Sequence, residues 1–153
     1  MMRRTPLYLA RTSDDDPPQF DVFAQYDNAR GFIEVAAELW QLAGNPDRAK
    51  AIDDVITSAY AFEPARLERD QIAALRDLLE GLEQALVGTL TDEHHMLSAA
   101  KVEELRGHVK TLDFDWNQRV DGRVAVQEAL IYVDHLRNIL DEALAANACI
   151  LFD

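Results

Sequence analysis

Along most of the chain apolar residues recur every three or four positions, the spacing that gathers side chains on one face of a helix. Phe32, Val35, Ala36, Leu39, Trp40 and Ala43 mark the first such stripe. Asp27 or Asn28 is placed to cap its start, and Gly44 to end it in the left-handed conformation. Asn45-Pro46-Asp47 restarts a helix: a capping side chain, a proline where no donor is needed, and a carboxylate facing the positive end of the dipole. Its core face is Ile52, Val55, Ile56, Ala59 and Tyr60, and Pro64 ends it. A third helix, capped by Asp70, carries Ile72, Leu75, Leu78, Leu79, Leu82, Ala85, Leu86 and Leu90. Gly81 and Gly88 lower its propensity by roughly 1 kcal/mol each and permit close helix approach. Thr91 caps a fourth helix with sparser apolar positions, Leu97, Ala100, Leu105, Val109 and Leu112, as on an outer helix with one wet face. The fifth runs from Asp121 to Ala146 on Val124, Ala125, Ala129, Tyr132, Val133, Leu136, Leu140, Ala143 and Leu144.

The ends read differently. Thr5 to Arg11 is too short for a helical stripe and predicts a strand. Ser13 to Pro18, with Asp14-Asp15-Asp16 and two prolines, predicts a loop. Phe20, Val22 and Phe23 fit a second short strand or an early helical turn equally well. The apolar tail Ala148 to Phe152 is costly to leave in water, at about 25 cal/mol per Å², and is expected to dock, as a strand beside Leu7-Tyr8-Leu9-Ala10. The expected architecture is therefore mainly α: about five helices in a bundle, with a small β pairing of the terminal segments. It forms one domain over residues 1–153, with an irregular or short-strand segment at 1–26, a helical core at 27–147 and the apolar tail at 148–153.

Length and composition agree with a single core. The chain has 153 residues, 48% of them apolar, which suits one domain and rules out a wholly disordered polymer. No apolar run approaches the roughly 20 residues of a membrane-spanning helix. Against 28 Asp and Glu stand 15 Lys and Arg, a formal charge of -13. Such a surface repels nucleic-acid phosphates. Cys149 is the one cysteine, so no disulfide forms within the chain. The basic Met1-Met2-Arg3-Arg4 start precedes too short an apolar stretch for a signal peptide, so a cytoplasmic protein is expected.

Catalytic motifs are sparse. His94-His95 invites a metal reading with His108, yet neighbours on a helix point about 100° apart and do not readily share an ion. His135 has Tyr132 at the offset where a di-iron bundle requires glutamate. His95-Met96-Leu97-Ser98-Ala99-Ala100 resembles, over these few residues, the phosphoacceptor segment of histidine phosphotransfer bundles. Ser98 and Ala99 stand where that family carries a basic residue and a glycine. No nucleophile elbow or phosphate-binding glycine loop occurs, and Cys149 sits in an apolar tail. No cofactor is expected.

Charge is the more informative feature, since -13 exceeds the roughly 2–8 that suffices for solubility. A field of that sign speeds encounter with a basic partner. Asp113-Phe114-Asp115-Trp116 sets aromatic rings among carboxylates, as an interface anchor does, although Trp116 by itself fits a cap on one end of the bundle slightly better. With Asp14, Asp15 and Asp16 these form the expected binding residues. In size, charge and lack of catalytic motifs the chain resembles the immunity proteins and antitoxins that neutralise basic bacterial toxins. That resemblance implies a non-catalytic module docking a basic protein. Two alternatives stand beside it: a helical homodimer or larger homo-oligomer seamed by the fourth helix or the apolar tail, and an enzyme using a metal or His94, His95, His108 or His135.

Overall fold

A computed structural model describes residues 6–27, 29–87 and 122–152, with side chains from 129 onward in the last stretch. The fourth predicted helix and the segment Asp113 to Trp116 lie outside the described residues. Strands β1 (Leu7–Thr12), β2 (Phe20–Tyr26), β3 (Arg66–Leu67) and β4 (Cys149–Phe152) form one antiparallel sheet in the order β2-β1-β4-β3. Helices α1 (Ala29–Leu42), α2 (Pro46–Ala59), α3 (Arg69–Leu78), α4 (Leu82–Val87) and α5 (Gly122–Ala145) complete the described elements. The expected mainly α five-helix bundle with only a small terminal β pairing is thus wrong: the protein mixes helices with a four-stranded antiparallel sheet.

The strands explain the correction. Phe20, Val22 and Phe23 belong to a hairpin partner of β1, not to a helical turn. The tail pairs Leu7 with Phe152 and Leu9 with Ile150, so it lies inside the sheet, between β1 and β3. Side chains alternate across a strand. Leu7, Leu9, Ile150 and Phe152 therefore face one way, into a core shared with the helices, and Leu67 joins them from β3. On the other face Ala10 and Cys149 are buried, and the Arg66 guanidinium lies 5.0 Å from the Phe20 ring and 4.7 Å from the Phe62 ring. Arg66 also donates to Glu68 at 2.6 Å and to the Pro64 carbonyl at 3.2 Å.

α1 is the central helix. Its buried residues include Ile33, Val35, Ala36, Leu39, Trp40 and Leu42, spread over more of its circumference than a single stripe, because α2, α4 and α5 all pack on it. The Trp40 indole donates to the Leu78 carbonyl at 2.8 Å and tethers α1 to the end of α3. That end is another departure from expectation. Gly81 adopts φ +78 and breaks the predicted third helix into α3 and α4. Leu75, Leu79, Leu82 and Leu86 remain buried on both sides of the break, so an apolar stripe persists where the helix does not. The cap of α3 is Glu68, two residues before Asp70, and its backbone amide donates to Gln71 Oε1 at 3.0 Å.

Candidate functional site

β2 is an edge strand of seven residues. Val22 and Phe23 are 48% and 37% exposed, two of the few large apolar side chains that the described residues present to water. A bulge sets Phe23 apart: Leu9 pairs with Ala24 but Ala10 with Val22, so Phe23 falls out of register and meets the Arg11 guanidinium, 4.5 Å away. At one end of β2 is the hairpin loop. Its neck is tied by Ser13, whose amide donates to the Gln19 carbonyl at 2.8 Å and whose hydroxyl accepts from the Gln19 amide at 2.9 Å. Asp14, Asp15 and Asp16 stand exposed at its tip.

At the other end, roughly 20 Å away for a strand of that length, β2 opens onto a cleft of about 400 Å³. Three elements build it. The end of β2 supplies Gln25, Tyr26 and the following Asp27; the first turns of α1 supply Phe32; α5 supplies Tyr132, His135, Asn138, Ile139 and Glu142. The α5 residues recur every three or four positions and so share one face. Ile139 is buried at the floor, Phe32 and Tyr132 are half-buried walls, and the amides, carboxylates and imidazole form an exposed rim. The Phe32 and Tyr132 rings meet at 5.3 Å between centroids, tilted 41°, and His135 lies 6.3 Å from each.

One hydrogen bond closes the cleft between strand and helix: the Tyr26 hydroxyl donates to Glu142 Oε2. That bond, followed by burial and the nearby negative charge, holds the Tyr26 hydroxyl above its ordinary pKa. The phenol is therefore kept as a donor to the carboxylate. The Gln25 amide donates to Asp27 Oδ1 at 2.9 Å and orients the second acid.

Of the residues expected from sequence, Asp14, Asp15 and Asp16 are exposed as a binding loop requires, but they sit at the far end of β2 from the cleft. Asp113, Phe114, Asp115, Trp116, His94, His95 and His108 lie outside the described residues. Among the described residues, no three His, Cys, Asp or Glu are grouped to hold a metal ion. Cys149 is buried, its thiol pushed up in pKa chiefly by that burial. Sequence reasoning missed the cleft. Asp27 reads locally as a helix cap, Phe32 and Tyr132 as core, and Glu142 as one of many surface acids; the only signal was the recurrence of Tyr132, His135 and Glu142 along one helix.

No family model, no characterised protein and no solved structure gives a match to the chain. Among the described residues, no helix is long and apolar enough to cross a membrane.

Proposed function

We propose that the protein is a non-catalytic, cytoplasmic binding module that docks a basic protein across the β2 edge, in the manner of an immunity or antitoxin-type inhibitor. One observation carries this reading: exposed apolar side chains, Val22 and Phe23, sit on an edge strand bracketed by carboxylates at both ends. Asp14 to Asp16 stand at one end, Asp27 and Glu142 at the other. An apolar centre with a charged rim is the anatomy of a protein interface. The acidic rim and a net charge of -13 select a cationic partner and oppose pairing of this edge with a second copy. A homo-oligomer seamed by the tail lacks a basis, since Cys149–Phe152 is an inner strand of the sheet.

The test is affinity capture from the native host with the full chain at low and high salt, repeated with Asp14, Asp15 and Asp16 changed to Asn and with Phe23→Ser. The expected result is a basic protein retained at low salt, lost steeply as salt rises, and weakened by both sets of changes. A partner retained equally at all salt concentrations and by every variant would sink the reading.

A further inference from the structure

The cleft combines an aromatic wall, two carboxylates and two amides with neither Lys nor Arg, a composition that two other hollows of the molecule do not share. The hollow of about 260 Å³ between α1 and α2 contains Arg30, and that of about 210 Å³ beside α4 contains Arg137. Elsewhere the chain satisfies the same chemistry with its own arginines. Arg48 lies 4.8 Å from the Trp40 ring, Arg30 5.4 Å from Tyr60, and Arg66 sits between Phe20 and Phe62 while paired with Glu68. In each case the guanidinium lies within the roughly 6 Å at which a ring face attracts a cation.

We propose that the cleft receives one arginine side chain of the basic partner, its guanidinium between Asp27 and Glu142 and against the Phe32 and Tyr132 rings. This rests on the docking reading above and names the anchor. Gln25 occupies one oxygen of Asp27 and Tyr26 one oxygen of Glu142. A carboxylate has about four lone-pair sites, so both acids keep acceptor capacity for a forked donor. A cavity of about 400 Å³ lies within the ordinary range of small-ligand pockets, so a side chain fits without opening the core. Arginine is favoured over lysine because a planar guanidinium can stack on a ring while donating to two acids, whereas an ammonium is a strongly hydrated point charge.

The experiment is a nuclear magnetic resonance titration of the full chain with N-acetyl-arginine amide, and separately with N-acetyl-lysine amide. Perturbations confined to Tyr26, Phe32, Tyr132 and His135, with the arginine derivative binding several-fold more tightly, are expected. Glu142→Gln and Asp27→Asn should each weaken binding about tenfold, the usual scale for a hydrogen bond to a charged group. Both changes are at exposed positions and nearly isosteric, so circular dichroism should stay that of the parent. No perturbation at the cleft, equal response to both derivatives, or binding indifferent to both substitutions overturns the inference. Its failure is separable from that of the docking reading. A basic protein captured in a salt-sensitive way and unaffected by Glu142→Gln and Asp27→Asn removes the arginine anchor and leaves the docking edge standing.

Discussion

Tyr26 meets Glu142 across 116 positions of sequence, and its chemistry makes the junction of β2 and α5 sensitive to alkali. The hydroxyl is held above its ordinary pKa first by the bond to Glu142, then by burial and the carboxylate charge. A tyrosine in an unfolded chain ionises near pH 10. Because the folded value is higher, the fold favours the protonated phenol. The stabilisation is fully present below about pH 10 and is lost as pH rises through the folded value. Tyr26→Phe removes both the bond and its titration. The melting temperature of the parent should therefore exceed that of Tyr26→Phe by a constant margin at neutral pH, and the margin should shrink above about pH 10. A margin unchanged through strong alkali would show that the Tyr26–Glu142 bond is not the source. None of this was legible in the sequence, where Tyr26 and Glu142 carry no mark that distinguishes them from other surface residues.

Elements stop where the backbone can turn, and here local chemistry decided how much the sequence revealed. At the end of α1 the Gly44 amide donates to the Gln41 carbonyl at 3.0 Å and the Asn45 amide to Trp40 at 2.9 Å. That pair of bonds is the Schellman closure, with Gly44 at φ +80. The Asn45 side chain then accepts from the Arg48 amide at 3.2 Å and opens α2. Gly, Asn and Pro stand side by side there, and the joint is readable. α5 ends by the same device with Asn147 at φ 53 in place of glycine: Asn147 donates to Leu144 and Ala148 to Ala143. The sequence gives no comparable warning at Gly81, since Leu78, Leu79 and Leu82 continue the stripe through it. A β-carbon on Gly44 would meet nothing within 4 Å, so its replacement isolates the conformational term. Gly44→Ala should lower stability by about 1 kcal/mol, the scale of forcing an L-residue into the left-handed region, while leaving the far-ultraviolet spectrum unchanged. Urea unfolding measures it; a variant as stable as the parent would mean that the joint relaxes freely.

At the scale of the whole molecule the decisive feature is that the strand latest in the chain lies inside the sheet. β4 pairs with β1 on one side and with β3 on the other, joining residues separated by most of the chain. Local periodicity could show that both ends were apolar and short, and it could not show that β2 and β3 complete a sheet with them, because strand pairing is a long-range property. The cleft has the same origin: it needs the end of β2, the start of α1 and one face of α5 to meet. β4 should therefore hold together the sheet against which these elements pack. Ile150, 0% exposed and opposite both Leu9 and Leu67, is its most enclosed side chain. Ile150→Ala should cost about 2–5 kcal/mol, the range for deleting a buried aliphatic side chain. Removing Cys149–Phe152 altogether takes the partner from both β1 and β3, and urea unfolding should then lose its sharp transition and fall in slope as less surface is buried. If instead the shortened chain unfolds at the parent midpoint with the parent slope, β4 is a passenger on a helical core that stands without it, and the strand pairing described here has no energetic weight.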